Sequence, residues 1–71
     1  MNAFADYYKR HLFKQSRGAR LAAIDFLINE IDGEINKGVD PTRWRHLLDD
    51  REVLEIERAE IAAEIGELKM Q

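Results

Sequence analysis

The stretch Ile35-Asn36-Lys37-Gly38-Val39-Asp40-Pro41-Thr42-Arg43-Trp44 decides how this chain folds. It ends one helix and begins another. Lys37 puts a cation on the last turn, where the helix dipole is negative, and Gly38 can adopt the positive φ of a helix cap. Asp40 then has the side chain of an N-cap, and Pro41 takes the first helical position, where its missing N–H is harmless. Val39 and Trp44 are spaced to form a hydrophobic staple across that cap. A connection this short between two helices returns the second antiparallel to the first.

Working outward from the turn, apolar residues recur at helical spacing on both sides. Upstream they are Leu21, Ile24, Ile28, Ile31 and Ile35; downstream they are Trp44, Leu47, Leu54, Ile61, Ile65 and Leu68. Steps of three, four and seven place each set on one face of a helix. The second arm has no glycine or proline between Pro41 and Gly66, and its Glu and Ala content favours one unbroken helix. The fold class this predicts is all-α: an antiparallel hairpin of two long helices forming a single domain over residues 1–71. Within it, residues 1–17 form a basic, aromatic amphipathic segment, 18–37 the first core helix, 38–40 the turn and 41–70 the second helix.

The first segment carries Phe4, Tyr8 and Leu12 at steps of four, flanked by Tyr7 and Phe13. Its apolar face is out of register with the next one, since the Leu21–Ile35 ridge extended backwards falls on Arg17, Lys14 and Arg10. Ser16-Arg17-Gly18 lies where the face changes. Serine can cap a new helix there, and glycine weakens a continuous one by about 1 kcal/mol. The matching lengths of the two arms favour continuity with a kink or hinge near Gly18; a short separate N-terminal helix is the alternative. Gly33, inside the first arm, either weakens that helix slightly or permits a close helix approach.

Charge is unevenly distributed around a net value of −3. Residues 1–20 carry Lys9, Arg10, Lys14, Arg17 and Arg20 against Asp6 alone, whereas Glu52 to Glu67 is the densest acidic stretch. In the hairpin Ile31 faces Leu47, Ile24 faces Leu54 and Phe13 faces Ile65, which brings the basic residues alongside Glu60, Glu64 and Glu67 for mutual neutralisation. Arg51 and Arg58 interrupt the downstream ridge. Their stems are expected to cover the core edge while the guanidinium groups reach solvent, Glu55 or Asp25; the sharper reading makes them register-setting residues in an oligomer.

Several classes of chemistry are excluded by composition. There are no cysteines, so no disulfides, and the two histidines are 35 positions apart. His46, Asp49 and Asp50 lie within one turn but lack further ligands, and read as solvated polar residues. Glu57, Glu60, Glu64 and Glu67 read as a solvated helix face. A two-helix chain encloses no pocket to set carboxyl pKa values apart, and Ser16 is the only serine. The expectation is therefore no catalytic residues, no metal, no cofactor, no small-molecule substrate and no enzymatic activity. The longest apolar run is Leu21 to Ile24, too short for a signal peptide or a membrane span, so a cytoplasmic location is the default.

One core of this size supplies only about 3–5 kcal/mol, and two such ridges exceed what a lone hairpin covers, so self-association into a helical bundle is expected. The partner-binding candidates are the interface or core seam Leu21, Ile24, Ile28, Ile31, Ile35, Leu47, Leu54, Ile61 and Ile65. Phe4, Tyr8, Lys9, Arg10, Leu12, Lys14 and Arg17 of the N-terminal segment join them. The function expected is a small interaction, adaptor or assembly protein acting through helix packing as a homo-oligomer that also binds a protein partner. Accessory proteins of phages and plasmids share this size and architecture, an analogy only. The alternative is a nucleic-acid-binding regulator presenting the basic segments of two subunits; the overall acidic balance counts against it and against a membrane surface.

Overall fold

The computed structural model describes residues 3–70, and their side chains through Glu67. Helix α1 spans Ala3–Tyr7 and runs on as one π-helical turn over Tyr8–Leu12. Helices α2, Arg17–Lys37, and α3, Pro41–Met70, follow and pack on each other as an antiparallel hairpin. The α1 segment folds back onto both arms, giving a rod of 47 × 21 × 15 Å.

The turn is built as its residues require. Gly38 has φ 89°, the single positive φ among the described residues, and its N–H donates to the Ile35 carbonyl at 3.1 Å. Asp40 Oδ1 accepts from the Arg43 N–H at 2.8 Å, capping α3. Val39 packs against the edge of the core, but Trp44 is about half exposed. Position 44 lies off the line Leu47–Leu54–Ile61, so Trp44 does not belong to the buried ridge where its spacing had placed it.

The N-terminal junction corrects the expectation of continuity. The chain breaks at Phe13–Ser16, ahead of Gly18, which lies inside the first turn of α2. Ser16 is the N-cap: its backbone is extended and its Oγ accepts from the Ala19 N–H at 3.3 Å. The change of apolar face is resolved here by a reversal, because a continuous helix would have left Phe4 and Tyr8 pointing away from the core. Phe13 sits in the break. It is 52% exposed, turned out from the position opposite Ile65 that the hairpin register assigned to it.

The core consists of Ile24, Leu27, Ile28 and Ile31 from α2, Leu47, Leu54 and Ile61 from α3, and Tyr8 from the N-terminal segment. Phe4, Leu12, Leu21, Ile35, Val39 and Ile65 pack around it. The two ridges are thus covered within one chain, and the premise that a companion chain must cover them does not hold. Tyr8, 1% exposed, supplies much of that cover. Leu68, last of the downstream ridge, lies outside the described side chains. Gly33 has open space where a Cβ would stand, so it marks no close helix approach.

Candidate binding groove

Helix α3 holds its two neighbours with two different chemistries, one on each flank of the Leu47–Leu54–Ile61 line. Asp50, Glu57 and Glu64 recur every seven residues and face the N-terminal part of the chain. Asp50 Oδ2 accepts from the Phe4 N–H at 3.2 Å, Glu57 Oε2 from the Tyr8 hydroxyl at 3.4 Å, and Glu64 Oε2 from Arg17 Nε at 2.7 Å. On the other flank, Arg58 Nε meets Asp25 at 2.7 Å, and Arg51 bridges Asp32 at 3.0 Å and Glu55 on its own helix. Near the turn Arg43 Nη2 meets Glu34 at 2.9 Å. These ion pairs are part-exposed and contribute about 0–1 kcal/mol each, so they set orientation more than stability. Arg51 and Arg58 therefore reach Glu55 and Asp25 as expected.

Asp50 is a correction. It is 2% exposed, the one buried charged residue among those described, and not a solvated group. Its carboxylate caps α1 from another helix, taking the N–H groups that the first turn leaves unpaired. Burial pushes its pKa above the ordinary carboxylate value, against the opposing pull of the Phe4 and Ala5 N–H groups. Its Oδ1 has no partner. Since Asp50 is engaged with α1, it is not available to join His46 and Asp49; no group of three or more His, Cys, Asp or Glu among the described residues is placed to hold a metal ion.

A second knot lies one turn on. Tyr8 packs edge-on to Phe13, ring centroids 6.4 Å apart, and Arg20 stands 5.6 Å over the Phe13 ring. Burial, foremost, raises the Tyr8 pKa. Arg20 is half-buried here, and Arg17 is held by Glu64. Two of the five N-terminal cations are thus committed inside the chain. Lys9, Arg10 and Lys14 are exposed and form no ion pair among the described residues, so the neutralisation expected from Glu60 and Glu67 is not made.

Docking of α1 leaves an apolar groove of about 660 Å³ between it and α2. Ala23 and Leu27 of α2 form its floor, Ala3, Phe4, Tyr7 and Leu12 one wall, and Phe26 the other, with Glu30 and Arg43 at one end. Phe26 is 62% exposed and Tyr7 51%. The His11 ring lies against Tyr7, with ring centroids 4.8 Å apart and planes tilted by 44°. Because α1 runs parallel to α3, as its bonds to Asp50 and Glu57 require, it runs antiparallel to α2. The Ala3 end of the groove therefore lies by Glu30, and the Leu12 end by Ala23.

Of the sequence-derived candidates, the structure places Ile24, Ile28, Ile31, Leu47, Leu54, Ile61 and Tyr8 in the core and Leu21, Ile35, Ile65 and Phe4 at its edge. Leu12 serves both core and groove, and Lys9, Arg10 and Lys14 point to solvent. Phe26, Leu27 and Glu30 were passed over, and Tyr7 was noted only as an aromatic flanking the N-terminal apolar face. Leu27 had a visible signal, lying three residues after Ile24 and four before Ile31; Phe26, opposite the ridge on α2, had none.

The fold and groove define an all-α helical hairpin with a folded-back N-terminal helix and an open apolar cleft among the described residues. No protein-family model matches the chain, and no curated protein or solved structure matches it. No helix among the described residues is long and apolar enough to cross a membrane.

Proposed function

We propose that this chain is a non-enzymatic interaction protein that works by packing helices against another polypeptide, as a homo-oligomer with an adaptor or assembly role. The observation that carries this reading is the groove beside Phe26. The buried ridges are already satisfied within the chain, yet two aromatic side chains about half exposed or more remain beside an apolar cleft. Contiguous apolar surface of this kind, rimmed by charged residues, marks contact sites for protein helices. Light scattering coupled to size-exclusion chromatography tests the homo-oligomer directly: a mass above the 8.3 kDa of one chain supports it. A single-chain mass throughout the micromolar range rejects it.

A second reading, binding to nucleic acid, is favoured by one observation: Lys9, Arg10 and Lys14 project from the π turn and the break that follows it with no acidic partner among the described residues. Three phosphate contacts per subunit would give log K a slope of about −2.7 against log salt for duplex DNA. Fluorescence anisotropy with a labelled duplex or RNA hairpin across a salt series measures it. An affinity that ignores salt, or that survives Arg10→Glu with Lys14→Glu, removes this reading.

A further inference from the structure

We infer that the corner of the molecule formed by residues 9–14 binds single-stranded nucleic acid, stacking an unpaired base on the half-exposed ring of Phe13 while Lys9, Arg10 and Lys14 take the phosphates. This rests on the nucleic-acid reading above and names the form of nucleic acid. Lys9, Arg10, His11, Phe13 and Lys14 are all exposed, so cations and rings alternate along one short stretch of surface. A π turn followed by a break carries them, and they do not follow the single stripe of a regular helix.

Phe13 is held in place without being covered. Arg20 stands 5.6 Å over its ring and Tyr8 meets it at 87°, yet the residue is 52% exposed. A ring already ordered in this way stacks a base at little further cost in side-chain freedom, and every base offers it a π face. Charge lies next to it in the chain. Lys14 follows Phe13 and Arg10 precedes it by three residues, and neither of these nor Lys9 forms an ion pair among the described residues. Even Asp6, one helical turn before Arg10, makes none with it. Stacking beside unpaired cations suits a single strand, because a duplex keeps the faces of its bases covered.

The acidic balance of the rest of the chain also favours strand over duplex. With a net charge of −3 and the stretch Glu52 to Glu67 along α3, much of the surface repels phosphate. A duplex is stiff over about 500 Å, so one laid on this corner carries its charge on past α3. A single strand bends and touches the corner alone. Repulsion from acids more than about 8 Å away is then largely screened at physiological salt. A lipid surface fits less well: Arg20 lies on Phe13 and His11 on Tyr7, so sinking either ring among acyl chains dehydrates a polar neighbour with it.

Fluorescence anisotropy of the full chain with a labelled uridine strand of about fifteen nucleotides, and with a duplex of the same length, tests the assignment. The strand is expected to bind at least about tenfold tighter than the duplex, with log K falling by about 2 per unit of log salt for three phosphate contacts. Phe13→Ala should weaken it about tenfold with the salt slope unchanged, since stacking releases no counterions. Phe13→Trp should stay within about threefold of wild type, and circular dichroism should show the same helicity for both variants. Arg10→Glu with Lys14→Glu should abolish binding. A duplex bound as tightly as the strand, or a strand affinity indifferent to Phe13→Ala, overturns the single-strand assignment while leaving the nucleic-acid reading standing. No binding of either form overturns both. So does flotation with phosphatidylcholine vesicles carrying about one-third phosphatidylserine when no oligonucleotide is retained, which assigns the corner to a lipid surface.

Discussion

Asp50→Ala isolates the contact that holds the N-terminal helix in place. The carboxylate is 2% exposed and accepts from the Phe4 N–H at 3.2 Å, with the Ala5 N–H also directed at it. Alanine leaves those donors unpaired against the face of α3, at about 1–3 kcal/mol for an abandoned buried group. Against that, the variant is relieved of a buried charge and of Oδ1, which has no partner. The net expectation is a loss of about 1 kcal/mol, the usual cost of a missing N-cap. Urea unfolding followed by circular dichroism reads the loss, and hydrogen exchange at Phe4, Ala5 and Tyr8 locates it: those amides should exchange faster while Leu54 and Ile61 hardly change. The pH dependence supplies a second arm with a definite sign. Because the folded pKa of Asp50 is raised above its ordinary 3.8, the folded chain keeps this proton where the unfolded chain has lost it. The stability Asp50 contributes is therefore complete below 3.8 and is lost as pH rises from there through the folded value. Relative to Asp50→Asn, wild type should gain ground between pH 7 and pH 4. An Asp50→Ala chain as stable as wild type at pH 7 with unchanged amide protection would refute the capping role. A wild type that loses ground to Asp50→Asn on acidification would refute the burial argument.

Three further outcomes follow from the packing. Leu54→Ala removes a fully buried side chain midway along α3 and should cost about 2–5 kcal/mol in chemical denaturation, enough to unfold most of a marginal small domain. Gly66→Ala should raise stability by about 0.5–1 kcal/mol, because a Cβ there meets open space within the helix; a fall in melting temperature would show that Gly66 does more than weaken α3. A double-mutant cycle on Arg58 and Asp25, whose side chains are both about half exposed, should return a coupling within about 1 kcal/mol that shrinks with added salt. Coupling several-fold larger and insensitive to salt would mean that the pair is buried in an assembly.

The docked N-terminal segment bears on how so small a chain is stabilised. Within one copy the N-terminal segment already acts as the third element: Tyr8 seals the middle of the hairpin, and the Asp50–Glu57–Glu64 line fastens the segment to α3. The Leu47–Leu54–Ile61 line therefore needs no second chain to cover it, and the apolar surface that docking leaves open is the groove between α1 and α2.

The residues Lys37 to Pro41 determined the hairpin by themselves, because capping and backbone preferences act within a few residues and need no distant partner. The core positions Ile24, Ile28, Ile31, Leu47, Leu54 and Ile61 were equally legible, since the period of an α-helix assigns each a face before any packing occurs. The path of the first sixteen residues was not. Whether Phe4 and Tyr8 continue a long helix or double back depends on Asp50 and Glu57, more than forty positions away, and no local pattern encodes that pairing. For the same reason Asp50 read as an ordinary solvated acid until α1 covered it, and the groove beside Phe26 existed nowhere in the linear order. Helical faces are local properties of the chain; which of them are buried is decided by the distant segments that come to lie upon them.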